Sequence, residues 1–168
     1  MNDLINKISS YNLFNYLFPG VLFVVLLDKA TNFHFLQENA LEGVFLYYFI
    51  GMLINRVGSL CIEPILRKTK LVVFQPLKDF NKAKALDSKI EIHSETNNMF
   101  RSVAAMFLVL SVFIAFDMTG IQFDWNAGFA KLAIVLALFV FLILSYRKQT
   151  KIIYDRVDTA LSSEKDKS

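Results

Sequence analysis

One cysteine, Cys61, stands in the whole chain, so no internal disulfide can form. No histidine lies near Cys61 in sequence to activate it, and it reads as an apolar packing residue. There are two histidines, His34 and His93, far apart in sequence, and no metal-ligand motif is read around them. The six glycines form no phosphate-cradling loop. Tryptophan occurs once, and the basic stretches lack the interleaved aromatics on which bases stack, so direct nucleic-acid binding is not expected. Charged residues make up 20% of the chain, and the run 132–144 has no polar side chain. The reading is therefore a non-enzyme, with no catalytic residue, metal or cofactor expected.

What the chain does have is apolar length: 55% hydrophobic residues, 17 of them Phe. Runs of this kind point to a bilayer, because a soluble core alternates polar with apolar. The pattern predicts an all-α polytopic membrane protein with four transmembrane helices and a cytoplasmic helical extension. The spans are expected at 11–27, 41–62, 102–118 and 127–146, with a cytoplasmic loop over 63–101 and a tail helix over 147–162. The first residues, MNDLINK, carry no positive excess, and no A-x-A spacing follows the apolar run. The N-terminus is thus expected to be an uncleaved first segment, with Leu4, Ile5 and Ile8 on one face of a short interfacial helix or on a frayed end.

Pro19-Gly20 is expected to kink the first span. Asn12 and Asn15, three apart on one face near its start, are expected to face water, the alternative being hydrogen bonds to a neighbouring helix. The stretch 41–63, LEGVFLYYFIGMLINRVGSLCIE, is read as the one the others pack around. Gly51, Asn55 and Ser59 recur at i, i+4 and i+8, with Gly58 beside them; small residues at this spacing let helices approach closely, and Asn hydrogen-bonds across the contact. Arg56 lies about 100° from Asn55 and shares its face with Glu63. A charge inside a span is costly. Three readings stay open for Arg56: snorkelling to the cytoplasmic surface, pairing with an acid such as Glu63 of a neighbouring chain, or lining a polar cavity.

Pro64 is expected to end that helix or its first cytoplasmic turn. Beyond it come Arg67, Lys68 and Lys70, and then 71–74, readable as a short strand or a membrane-hugging turn. A helix from about Leu77 to His93 follows, carrying Lys82, Lys84 and Lys89, with Phe80, Ala83, Asp87 and Ile90 on one face. Ala104, Ser111 and Ala115 suit packing in the third span, and Ala130, Ala133 and Ala137 in the fourth. Trp125 fits an aromatic belt at a membrane boundary. Nothing breaks the last helix at Arg147, and Ile153, Val157 and Leu161 continue it as an apolar stripe for a partner or a second copy.

Fourteen of the eighteen Lys and Arg residues fall within 67–101 or 147–167, whereas the connectors on the other side hold Lys29 and Lys131. The positive-inside rule then puts both termini and the middle loop in the cytoplasm. Arg67, Lys68, Lys70, Lys82, Lys84 and Lys89 are candidates for binding a partner or lipid heads, the latter by simple attraction to anionic lipid.

The segment 11–27, YNLFNYLFPGVLFVVLL, sets an aromatic- and Asn-containing turn before Pro-Gly and an aliphatic run. It resembles the first helix of small membrane proteins encoded beside bacterial anti-phage genes. Size and four-helix layout look similar to the membrane subunit of the Kiwa defence system. The resemblance implies an inner-membrane, multi-pass subunit that assembles with copies of itself, holds a cytoplasmic DNA-binding partner and senses infection at the envelope. The leading expectation is therefore a homo-oligomeric sensor or anchor that recruits a cytoplasmic protein. The alternative is an oligomeric pore lined by Asn55, Arg56 and Ser59.

Overall fold

The structure, a computed structural model, describes residues 12–120 and 125–165. The expected interfacial helix over 2–10 lies outside them. Among the described residues every regular element is a helix. In chain order these are α1 (Leu13–Ala30), α2 (Ala40–Lys68), α3 (Leu77–Leu86), α4 (Lys89–Asp117) and α5 (Trp125–Lys165). Four of the five, all but α3, are long and apolar enough to cross a membrane, so the chain is an all-α polytopic protein.

Two of the spanning helices meet proline in the same way. In α1 the turn Leu13–Leu17 is π-helical, closed by the Phe18 N–H on the Leu13 carbonyl, and Pro19 follows. In α2 the turn Gly58–Ile62 is π-helical, closed by the Glu63 N–H on the Gly58 carbonyl, and Pro64 follows. Proline has no N–H and its ring crowds the carbonyl four residues back; a wider turn immediately before it relieves that crowding. Of the two expectations for Pro64, ending the helix outright does not hold. The helix runs on to Lys68.

The helix that carries the third span begins well before residue 102. α3 stops at Leu86, where Asp87 is extended, and the Asp87 carboxylate accepts the Lys89 N–H at 2.9 Å to start α4. A short acceptor side chain beside a helix start satisfies a donor that the helix leaves open. The expected single helix over 77–93 is thus two, and 89–101 forms the leading turns of the spanning helix. The 63–101 stretch is mostly helical. Its 69–76 segment is a turn and bend leading into irregular chain, not a strand, with Val72 buried and Leu71 and Val73 exposed.

Packing places α4, rather than α2, at the centre. Half of its apolar window is buried within the chain, against 11% for α5. Ala104, Ala105, Met106, Leu110 and Ile114 are all but sealed between α1, α2 and α5. Ala115, placed in the sequence reading with Ala104 and Ser111, is exposed. Along α5 the buried and half-buried positions 132, 135, 139, 142, 146, 149, 153 and 157 step by three and four. That is a seam of 3.5 periodicity, the geometry of shallow-angle helix pairs. α4 has about 43 Å of length and α5 about 60 Å at about 1.5 Å per residue, so both outrun a ~30 Å hydrocarbon core.

α1 and α2 cross at glycine. A Cβ on Gly51 would lie 1.7 Å from the Tyr16 carbonyl oxygen, and one on Gly20 1.8 Å from that of Tyr47. Asn15, expected to face water, is 1% exposed in the same region. At the opposite end of the bundle from the basic residues, Phe33 packs edge-on against Phe113, and the Asn32 side chain donates to Asp117 at 3.1 Å.

Candidate functional site

The basic end holds a polar layer that three spanning helices build together. Glu63 of α2 receives Arg101 of α4 at 2.5 Å on one carboxylate oxygen and Arg67, one turn on, at 3.0 Å on the other. Arg101 also donates to the Asn55 side-chain oxygen at 3.4 Å. The Arg67 guanidinium stands 4.2 Å over the Phe74 ring, which ties the 69–76 turn to the pair. One turn further out, the Thr150 hydroxyl donates to the Asn97 side chain at 3.2 Å, and Gln149 reaches His93 at 3.0 Å. Beside this layer lies a cleft of about 700 Å³ whose lining includes Glu63, Arg101, Tyr146, Thr150, Phe74 and Leu77.

The π-turn decides this geometry. In a regular helix Arg56 and Glu63, seven apart, share a face. The extra residue taken up at Gly58–Ile62 rotates everything after it, so Glu63 turns inward while Arg56 stays exposed. Of the readings left open for Arg56, pairing with an acid holds instead for Arg101, within the same chain.

The small-residue face of α2 packs inside the bundle. Gly51 meets α1, Asn55 is 7% exposed, and a Cβ on Gly58 would meet the Arg101 side chain and backbone at 3.2 Å. Ser59 is half-exposed and donates to its own helix at the Arg56 carbonyl. Within the single chain Asn55 is buried, Arg56 exposed and Ser59 half-exposed.

The basic candidates divide into two sets. Arg67 is held by Glu63, Lys82 by Glu164 at 2.6 Å and Lys84 by Glu91 at 3.0 Å. Lys68, Lys70 and Lys89 are exposed and, among the described residues, in no ion pair. Ile153, Val157 and Leu161 are not an open stripe, because α3 covers them. Phe80 and Ala83 of α3, with Ile90 of α4, pack on Val157, which is fully buried. A short amphipathic helix folded back on its own chain removes that apolar surface from water, which is what the stripe required.

Arg101, Tyr146, Asn97 and Thr150 were not singled out from the sequence as a site. A signal was present: Tyr146, Thr150, Ile153, Val157 and Leu161 lie on one helical stripe that starts polar and turns apolar.

Asp87 fastens the outer module. It accepts Lys89 N–H and, on its other oxygen, the Arg156 guanidinium at 2.9 Å. The Lys89 N–H first, and then Arg156, hold its carboxyl below the usual carboxylate range. A group so depressed contributes stability above its unfolded pKa, and loses it as pH falls through the folded value. Acidification from about pH 4 downward is therefore expected to free α5 beyond residue 150 from α3. Hydrogen exchange over 77–93 and 150–165 measures it. Asp87→Asn should raise exchange there at neutral pH and flatten the acid response; an unchanged acid response would assign the loosening to other groups.

Compared with family models, curated proteins and solved structures, the chain matches none.

Proposed function

We propose that this chain is a non-enzymatic inner-membrane sensor or anchor subunit that self-associates and presents a folded platform to a soluble cytoplasmic partner. One observation carries the reading. α4 and α5 run unbroken from the spanning bundle into a helical module completed by α3, so displacement of a span moves the platform as one body. The polar layer at Glu63 and Arg101 fixes the two parts in register. Charge asymmetry supports a cytoplasmic location for the platform, and with it for both termini. The outward apolar surface of α5, including Ala130, Ala133 and Ala137, supports contact with further copies. The resemblance of 11–27 to membrane proteins of anti-phage systems supports a role in antiviral defence, with a DNA-binding protein as the partner class.

The geometry also selects the test. Reversing Lys82 or Lys84 breaks ion pairs inside the module, and removing 150–168 strips α3 of its seat. Lys68, Lys78 and Lys89 are exposed instead. The triple change Lys68→Glu, Lys78→Glu, Lys89→Glu is expected to cut co-purification of the adjacent gene's product at least about tenfold, with raised salt acting on the native chain in the same direction. Full capture by a variant that still inserts and melts normally would place the docking surface elsewhere.

A further inference from the structure

We infer that a groove between the 69–73 turn and α5 is a binding site for one anionic phospholipid. The groove has a volume of about 680 Å³. Lys70, Arg147, Lys148 and Lys151 supply its charge, and Leu144 with Leu71 forms its apolar wall.

The positive charge is in excess. Where Arg67, Lys82, Lys84, Arg101 and Arg156 each have a carboxylate within reach, Lys70, Arg147, Lys148 and Lys151 enter no ion pair among the described residues. A single carboxylate, Asp155, shares the groove with these four cations. Like charges gathered at one place repel, and an anion seated among them relieves that cost.

Position selects the class of anion. From Trp125, which is 56% exposed at one end of α5, to Arg147 is twenty-two residues. That is about 33 Å of helix, close to a ~30 Å hydrocarbon core, so Arg147 falls at the far boundary. Leu144, 55% exposed, lies just inside it, and Lys148 and Lys151 lie within about 10 Å beyond. The groove thus offers an apolar wall at acyl depth and cations at phosphate depth, in the order a phospholipid presents them. A free phosphate would use the cations and leave the wall bare.

Lys70 adds a conformational argument. Its φ of 57° is left-handed, the one such non-glycine residue among those described. It closes α2, with the Leu71 and Val72 N–H groups both on the Leu66 carbonyl. Glycine ordinarily fills such a position, because a Cβ there crowds the backbone. Lysine at this point places an ammonium at the rim of the groove and leaves Leu71 and Val73 outward, 43% and 58% exposed.

The proposal rests on the bilayer placement and is independent of partner capture. Its test uses the full-length chain without partner, in nanodiscs or detergent, with native mass spectrometry of retained lipid. Phosphatidylglycerol should be retained over phosphatidylcholine by at least about tenfold. Lys70→Glu, Lys148→Glu, Lys151→Glu should abolish that preference, while the Arg substitutions at the same positions keep it. Lys78→Glu, Lys89→Glu, which reverses charge on α3 and at the start of α4, should leave it intact, as should millimolar inorganic phosphate. Leu144→Glu should weaken retention although every cation remains. Equal loss in both reversal sets would overturn a defined site in favour of diffuse attraction. Competition by free phosphate would overturn the lipid as occupant. A groove variant that misfolds is recognised by its melting profile, and the Leu144→Glu and phosphate results then decide.

Discussion

Gly51→Ala is expected to destabilise the bundle by about 3 kcal/mol, the upper part of the range for overpacking, and Gly51→Leu to prevent α1 and α2 from docking. The added Cβ would stand 1.7 Å from the Tyr16 carbonyl oxygen, a backbone atom that no rotamer change can move. The helices must separate, and the buried contacts around Asn15, Gly20 and Gly51 are lost together. Helix propensity alone works in the opposite direction, since alanine stabilises a helix interior over glycine by about 1 kcal/mol. The sign of the change therefore tells the two effects apart. Leu53→Ala, at a position 49% exposed on the same helix, should cost far less. Thermal or denaturant unfolding in micelles measures both; a Gly51→Ala variant as stable as the native chain would show that the helices do not cross this closely.

The second large effect is expected at the Glu63–Arg101 pair. Both side chains are mostly buried, at 19% and 13% exposure. Glu63→Leu leaves Arg101 facing Asn55 with no carboxylate, and the loss is expected to be about 3 kcal/mol. Arg101→Met should cost less, because Arg67 still holds the other carboxylate oxygen. Glu63→Leu combined with Arg101→Met should recover much of the loss, since no unpaired charge is then buried in the layer; Arg67, which also loses Glu63, is 56% exposed. A double-mutant cycle by denaturant unfolding gives the coupling. Strict additivity of the two changes would mean that the pair contributes nothing as a pair.

How much of this was legible in advance follows from the range of each interaction. Four apolar runs in 168 residues determine four spanning helices, because in lipid a backbone must satisfy its own hydrogen bonds. The 153–157–161 spacing and the lack of Gly or Pro after Gly128 determine an α5 that leaves the membrane without a break. The glycines of α2 mark a close helix contact, since only residues without bulk permit one. These are local or periodic properties, and they are carried by the chain order itself.

Three decisions needed the tertiary structure. The π-turn at Gly58–Ile62 inserts a rotation that no fixed helical period contains, so Glu63 meets Arg101 of its own chain. The apolar stripe of α5 found its cover in α3, about seventy residues earlier, because Asp87 breaks the helix and lets α3 fold back; whether such a stripe meets its own chain or another depends on geometry, not on hydrophobicity. Basic residues that look alike in sequence were sorted into paired and unpaired sets by carboxylates brought near from distant segments. Glu164 reaches Lys82 and Glu91 reaches Lys84, whereas Lys70 and Lys148 enter no ion pair among the described residues. Charge count is a property of composition; which charges remain uncompensated is a property of the fold, because Coulomb attraction falls with a distance that only packing determines.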